Sequence, residues 1–251
     1  PHPTILIRNT YNKDAGKAGL KAMAAFAKPY TEHGYAFVVQ DTRGRFSSMG
    51  VDSIFLTDGN GPLKDGYDTI EWIIQQDWSN GDVGMFGMSA LAITTYMAAA
   101  SGHPALKAAV VTAGGSNLYD DIFYPGGVFR QHMVDRWVTG QGRAEFLPFI
   151  YGHPSYDSVW QRVDLRLHAE KSHTAIYHWG GWYDCMSQGQ TRGFKALQER
   201  GGEGARGNQV LVMGAWSHGG TGQTQGELRY PRNTHDMNPG SEMMGWFDRF
   251  L

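Results

Sequence analysis

Ser89 is placed where a predicted strand runs directly into a predicted helix. The strand covers Gly84–Gly87 and the helix covers Ala90–Ala100, so the serine lies on the sharp turn between them. A serine on such a turn is exposed at the carboxyl edge of a sheet and can act as a nucleophile. The G-x-S-x-G pattern of these turns is not met, because Leu91 occupies the second glycine position. On local sequence alone, a helix-capping serine is an equally good interpretation.

Asp184 and His218 supply the two other groups that a nucleophilic serine needs. A base must take the serine proton, and a carboxylate must orient that base. Asp184 follows a predicted strand over Ala175–Trp179, and His218 follows one over Gln209–Met213. Both therefore fall at carboxyl ends of strands, where catalytic groups collect in open α/β sheets. The chain order of serine, acid and histidine is that of the α/β-hydrolase fold.

The elements that carry these residues belong to a regular alternation of strands and helices. Such alternation predicts an α/β fold with a mostly parallel sheet flanked by helices. Between about 117 and 170 the alternation stops, and an aromatic stretch with helix-like pieces at 129–138 and 156–163 predicts a reduced helical cap inserted on the sheet. The other predicted elements are strands over Ile5–Arg8, Tyr35–Gln40 and Ala108–Thr112, and helices over Leu20–Tyr30, Tyr67–Gln76 and Met243–Leu251.

Composition excludes several classes of partner. The 251 residues carry a net charge of −2 and only 18% are charged, which argues against nucleic acid. No apolar run approaches the ~20 residues that span a bilayer, and no signal peptide is visible at the start, so we expect no membrane partner and a soluble protein of undefined compartment. A homo-oligomer is left open. The single cysteine, Cys185, excludes an internal disulfide. No ligand spacing or phosphate-binding motif predicts a metal or a cofactor.

Five segments resemble the family of cocaine esterase, α-amino-acid ester hydrolases, X-Pro dipeptidyl peptidases and glutaryl acylases. They are RNTYNK (8–13), QDTRGRFSSMG (40–50), DVGMFGMS (82–89), GGWYD (180–184) and GAWSHG (214–219). In this family the second glycine of the serine motif lies three positions after the serine, where this chain has Ala92. The resemblance therefore explains why the simpler pattern fails.

The resemblance implies an α/β-hydrolase that works through an acyl-enzyme. Ser89 corresponds to the nucleophile, His218 to the general base and Asp184 to the carboxylate that orients it. The oxyanion hole corresponds to the hydroxyl of Tyr11 and the backbone N–H of Ala90. The resemblance implies a small ester or amide as substrate and implies no cofactor.

An ester is the first expectation for the substrate. The acidic residues that hold a substrate ammonium in α-amino-acid ester hydrolases are replaced here by Cys185 and its neighbours. An acylase or X-Pro dipeptidyl peptidase acting on amides is the alternative, and a catalytically inactive binding protein is a third possibility. The resemblance also implies one catalytic domain over residues 1–251, without the family's leading antiparallel strands and without its C-terminal jelly-roll domain.

Several other side chains have two interpretations each. We expect the aromatic residues to line an apolar substrate pocket, with core packing as the alternative: Trp137, Phe146, Trp160 and Trp182. Cys185 is expected to be buried packing rather than a nucleophile. Asp41 and Arg43 are interpreted as an ion pair or a turn lock. The adjacent pair Asp120 and Asp121 is interpreted as solvated, although it could supply a cap carboxylate.

Overall fold

A six-stranded sheet forms the centre of the computed structural model, which describes residues 1–218, 220–231 and 239–251. Its strands are β1 (His2–Asn9), β2 (Ala36–Asp41), β3 (Ser79–Met88), β4 (Leu106–Thr112), β5 (Ala175–Tyr183) and β6 (Gln209–Ser217). Their order is β2-β1-β3-β4-β5-β6, and every neighbouring pair is parallel. A small antiparallel pair, β7 (Thr224–Gln225) and β8 (Leu228–Arg229), forms a separate sheet. The predicted α/β class with a mostly parallel sheet is confirmed.

Helices cover both faces of this sheet, and three more lie in the stretch between β4 and β5. The covering helices are α1 (Gly16–Glu32), α2 (Asp65–Ile74), α3 (Ala90–Ser101), α7 (Ser187–Arg200) and α8 (Pro239–Phe250), and the other three are α4 (Gln131–Gly140), α5 (Leu147–Gly152) and α6 (Ser158–Gln161). Side chains of α2, α3 and α7 join one apolar cluster, and those of α1 and α8 join another. In the described part of the chain, no helix combines the length and the apolar character needed to cross a bilayer.

The two clusters explain the continuous apolar runs of the central strands. Successive side chains of a strand point to opposite faces. Ile5 accordingly packs in the cluster of α1 and α8, and Leu6 packs in the cluster on the other face. A strand that is buried on both faces must be apolar at consecutive positions.

The strands are longer than their apolar runs. β3 begins at Ser79, although the apolar pattern begins near Gly84. At their carboxyl ends, β5 continues to Tyr183 and β6 continues to Ser217. Parallel pairing uses backbone N–H and C=O groups, so it includes polar and glycine residues that the apolar pattern leaves out. Both strands thus end one residue before Asp184 and His218.

The stretch between β4 and β5 is helical, as predicted, but in shorter pieces. Helix α4 starts at Gln131, two residues after the predicted start. Helix α6 is a single turn, with the Asp157 carboxylate accepting the N–H of Val159 at its start. The remaining pieces are a π-helical turn at Leu118–Phe123 and 3-10 turns at Pro125–Gly127, Ala144–Phe146, Leu165–Leu167 and Ala169–Lys171.

Asp41 locks a turn and does not pair with Arg43. Its carboxylate accepts the backbone N–H groups of Lys13 at 2.8 Å and Ser47 at 3.4 Å. Arg43 instead donates from Nη2 and Nε to the carboxylate of Asp65 in α2. The turn-lock interpretation of Asp41 therefore agrees with the structure, whereas the ion pair between Asp41 and Arg43 is wrong.

Candidate active site

Ser89 occupies a strained corner between β3 and α3. Its backbone has φ of 58° and ψ of −120°, a left-handed region that residues other than glycine rarely adopt. The N–H of Ser89 donates to the carbonyl of Thr112 at the end of β4, at 2.9 Å. A Cβ at Gly87 would lie 2.1 Å from the carbonyl oxygen of Leu91, so the first turn of α3 can approach β3 only because residue 87 is glycine.

Ser89, His218 and Asp184 form one hydrogen-bonded series. Ser89 Oγ lies 2.8 Å from His218 Nε2, and His218 Nδ1 lies 3.0 and 3.1 Å from the two carboxylate oxygens of Asp184. An ionised carboxylate can only accept, so Nδ1 carries the proton and Nε2 is left to accept from the serine hydroxyl. The N–H of Met186 donates to Asp184 Oδ1 at 2.7 Å and fixes the carboxylate. This series can move a proton from serine to histidine.

Electrostatics in the series favour the protonated histidine. The hydrogen bond and the negative charge of Asp184 raise the pKa of His218, and partial burial opposes this shift only in part. The carboxylate itself is buried, with 5% of Asp184 exposed. A buried carboxylate beside an imidazole stabilises the imidazolium that forms when the serine gives up its proton.

Of the two expected oxyanion donors, Ala90 directly follows Ser89, and Tyr11 contacts a residue of the cavity wall. Ala90 is the first residue of α3, so its N–H has no acceptor within the helix and lies at the positive end of the helix dipole. Tyr11 follows β1, where its N–H donates to Asn9 Oδ1 at 3.0 Å. Its hydroxyl lies 3.0 Å from Nε1 of Trp137, which lines the same cavity as Ser89 and Ala90.

A cavity of about 180 Å³ opens beside Ser89 and His218. Apolar side chains make most of its wall: Phe55, Ile93, Ile122, Phe123, Met133, Val134, Trp137 and Met186. Among the described residues that line it, none is an aspartate or glutamate. The cavity therefore suits an uncharged apolar group.

Of the four aromatic residues expected to line the pocket, only Trp137 does so. Trp160 is fully buried in the core, where its Nε1 donates to the carbonyl of His153 at 2.9 Å. Phe146 is half-buried and packs against the same core. Trp182 is 63% exposed and lies outside the cavity wall. The pocket expectation is wrong for these three, since side-chain direction and not residue type decides which aromatics face the cavity.

Sequence reasoning missed much of the cavity wall. Phe55 comes from the loop before α2, and Met133 comes from the first turn of α4, which begins with two polar residues. Neither stands in a catalytic motif, and the apolar spacing of Met133 and Trp137 along α4 does not distinguish a pocket residue from a core residue. The glycine-rich loops around Ser89 and Asp184 gave no information on what lies opposite them.

Cys185 is exposed and lines the cavity, so the expectation of buried packing is wrong. Desolvation of the thiol and the nearby charge of Asp184 raise the pKa of Cys185, which favours the protonated thiol at neutral pH. Cys185, Asp184 and His218 offer three ligand atoms within 4.8 Å of one another, the one such group among the described residues. Two of the three are already joined in the hydrogen-bonded series.

Asp121 is buried, so the solvated interpretation is wrong for this residue. Its Oδ2 accepts from Ser116 Oγ at 3.2 Å and from the N–H of Asn117 at 2.9 Å, and burial raises the pKa of the carboxyl. Asp120 is half-buried and pairs with Arg166 at 2.8 Å. Neither carboxylate lines the cavity, because the π-helical turn directs Ile122 and Phe123 into it instead.

Comparison with known proteins supports the resemblance stated above. The chain matches the X-Pro dipeptidyl-peptidase (S15 family) over residues 1–147 and 137–220. It is 28% identical to cocaine esterase from Rhodococcus sp. (strain MB1 Bresler), in an alignment that covers 87% of this chain and 44% of the esterase.

Solved structures show the same fold. An aminopeptidase from the marine sediment archaeon Thaumarchaeota archaeon superposes with a TM-score of 0.79 at 23% identity, over 100% of this chain and 50% of that one. An α-amino acid ester hydrolase superposes with a TM-score of 0.73 at 24% identity, again over 100% and 50%. The chain thus spans about half the length of these relatives.

Proposed function

Because the chain belongs to the X-Pro dipeptidyl-peptidase (S15) family, we propose that it is a serine hydrolase that cleaves carboxylic esters through an acyl-enzyme. The observation that carries this proposal is the series of hydrogen bonds from Ser89 through His218 to Asp184. A serine with a base at hydrogen-bond distance, itself oriented by a buried carboxylate, is the arrangement that activates a hydroxyl nucleophile.

The reaction begins when Ser89 Oγ attacks the ester carbonyl carbon. His218 Nε2 takes the serine proton as the C–O bond to Ser89 forms, and Asp184 stabilises the resulting imidazolium. His218 then gives the proton to the leaving alcohol as the ester bond breaks. A water molecule repeats the sequence on the acyl-enzyme, with His218 again as base, and releases the acid.

The negative charge that develops on the carbonyl oxygen needs fixed donors. The Ala90 N–H and the Tyr11 hydroxyl are the groups proposed for this role. Ala90 is the first residue of α3, and Tyr11 lies in the loop after β1, where Asn9 accepts its backbone N–H. Donors held in place before the reaction stabilise the transition state without the cost of reorganising.

The cavity wall supports an apolar acyl group without charge. Residues about 117–170 are proposed to act as the cap of the site, since α4 contributes Met133, Val134 and Trp137 to the wall. An acyl group that carries an ammonium would meet no carboxylate among the described lining residues, and burying an unpaired charge is costly. The name of the cocaine esterase relative also favours an ester over an amide.

A fluorophosphonate probe tests the nucleophile directly. The wild-type chain should be labelled once, and Ser89→Ala should lose the label. Ser155→Ala, which changes an exposed loop serine, is the matched control and should label normally. Absence of label on the wild-type chain would support the inactive binding protein instead, and an unchanged label on Ser89→Ala would show that Ser89 is not the labelled nucleophile.

A substrate panel separates esters from amides. We expect turnover of p-nitrophenyl esters with apolar acyl groups and little turnover of X-Pro amides. The family description names an X-Pro dipeptidyl-peptidase, so an enzyme that cleaves only the amides is the second candidate. That outcome would reverse the substrate assignment while leaving the serine mechanism intact.

A further inference from the structure

The hydroxyl of Tyr11 takes part in a hydrogen bond whose direction is fixed by chemistry. Trp137 Nε1 lies 3.0 Å from the Tyr11 hydroxyl oxygen. An indole N–H can only donate, whereas a phenol hydroxyl can both donate and accept. The Tyr11 oxygen is therefore the acceptor, and its own proton must point away from the indole. Among the hydrogen bonds of the described residues, none is donated by this hydroxyl.

This bond lies at the wall of the candidate active site. Trp137 lines the same cavity as Ser89 and Ala90. The loop that holds Tyr11 follows β1, and Ser89 follows β3, which is the direct neighbour of β1 in the sheet. The phenol and the nucleophile therefore follow adjacent strands of the sheet, and the indole of α4 contacts the phenol.

The indole of Trp137 contacts an aromatic ring and a guanidinium group, which restrict its orientation. It stacks on Phe55 with ring centres 5.7 Å apart and planes at 17°. The guanidinium carbon of Arg143 lies 5.8 Å from its ring centre. Arg143 is buried, and its Nε and Nη2 donate to the Asp52 carboxylate at 2.6 and 2.9 Å. An indole fixed in this way also fixes where its N–H points.

We propose that Trp137 is a positioning residue of the oxyanion hole, which holds the Tyr11 hydroxyl with its proton free to meet the developing oxyanion. The inference rests on the proposed function, in which Tyr11 donates to that oxyanion. Accepting a hydrogen bond also polarises the phenol O–H, because hydrogen bonds in a chain strengthen one another. The stronger hydrogen bond from Tyr11 stabilises the oxyanion mainly in the transition state. The indole therefore raises kcat more than it changes KM.

The variant Trp137→Phe removes the N–H and keeps an aromatic ring against Phe55. We expect kcat on an apolar p-nitrophenyl ester to fall about three- to tenfold, the value of one neutral hydrogen bond. KM should change by no more than about twofold. Trp72→Phe, which alters an exposed indole of α2 outside the cavity wall, is the matched control and should leave kcat unchanged.

A double-mutant cycle with Tyr11→Phe separates positioning from packing. Tyr11→Phe alone should lower kcat about 10²–10³-fold, as for other oxyanion donors. In that background Trp137→Phe should cause no further loss, because the hydroxyl through which it acts is gone. Thermal melts of the three variants would verify that each is folded.

Two different failures can be told apart. If Trp137→Phe lowers kcat equally with and without the Tyr11 hydroxyl, the indole acts only by filling the cavity and the positioning role is overturned. If Tyr11→Phe keeps full activity, both the oxyanion role of Tyr11 and the positioning role of Trp137 are wrong. Fluorophosphonate labelling of Ser89 in the same variants reports independently on the serine mechanism.

Discussion

The backbone of Tyr183 pairs with that of Ser217 where β5 and β6 leave the sheet. Asp184 and His218 are the next residues of these two strands, so they start from adjacent positions and meet at 3.0 Å. A Cβ at Gly181 would lie 2.0 Å from the carbonyl oxygen of Trp216, so glycine allows the close approach of the two strand ends. The register of two parallel strands thus brings the acid and the histidine together.

The pH dependence of kcat/KM should report the raised pKa of His218. The base is active only when neutral, so activity should fall as the pH falls through the pKa of the free enzyme. Because Asp184 raises that pKa, the midpoint of the acid limb should lie above the ordinary histidine value of about 6.5. A pH profile with a stable p-nitrophenyl ester measures the midpoint.

Asp184→Asn is the matching variant for this profile. Loss of the carboxylate charge should move the midpoint downward, and kcat should fall by about 10³–10⁴-fold because the imidazole is no longer held in the active tautomer. A wild-type midpoint below the ordinary value, or one that Asp184→Asn does not move, would contradict the assigned partner of His218.

Gly87→Ala should disrupt the corner that carries Ser89. The added Cβ would lie 2.1 Å from the Leu91 carbonyl oxygen, so β3 and α3 must separate. We expect a loss of about 1–3 kcal/mol in the free energy of unfolding, together with a large loss of fluorophosphonate labelling. Urea unfolding measures the first effect.

Gly245→Ala in α8 is the control for Gly87→Ala. A Cβ at Gly245 has open space around it, and alanine is the better helix former by about 0.5–1 kcal/mol. This variant should therefore be unchanged or slightly more stable, with normal labelling. Equal stability and equal labelling of the two variants would show that the close approach of α3 to Gly87 is not needed for folding or for the reactivity of Ser89.

The sheet and the strand ends were predictable because local patterns determine them. Consecutive apolar residues such as Ile5 and Leu6 indicate a strand covered on both faces. The order of the residues after the strands then gave the positions of Ser89, Asp184 and His218 at one edge. Their chemical roles stay predictions.

The cavity wall was not predictable, because it depends on how distant segments pack. Trp160 and Trp182 have the same side chain, yet one is in the core and the other is exposed. Asp121 is buried because a π-helical turn directs it toward Ser116, and no local pattern indicates that turn. The bond between Tyr11 and Trp137 joins residues far apart in sequence, so only the tertiary structure shows it.

The two misassigned tryptophans should differ sharply in their effect on stability. Trp160 is fully buried, so Trp160→Ala should lower the free energy of unfolding by about 3–5 kcal/mol. Trp182→Ala removes an exposed side chain and should change it by less than about 0.5 kcal/mol. Denaturant unfolding followed by circular dichroism compares the two. A small effect of Trp160→Ala would contradict the placement of this side chain in the core.

Met133→Glu tests whether the apolar wall selects an uncharged acyl group. A carboxylate at this position faces the apolar cavity beside Ser89 and also lies near the guanidinium of Arg130, whose Nη1 is 3.9 Å from the sulfur of Met133. Turnover of apolar p-nitrophenyl esters should fall, mostly through KM, because binding the apolar group must now displace water from a charge. For esters whose acyl group carries an α-ammonium, turnover should fall less or should rise, since the new carboxylate can pair with that charge.

The measurement is the ratio of kcat/KM for the two substrates. Met133→Leu keeps the wall apolar and should leave that ratio near the wild-type value. A ratio that Met133→Glu does not alter would mean that the acyl group binds elsewhere than in this cavity.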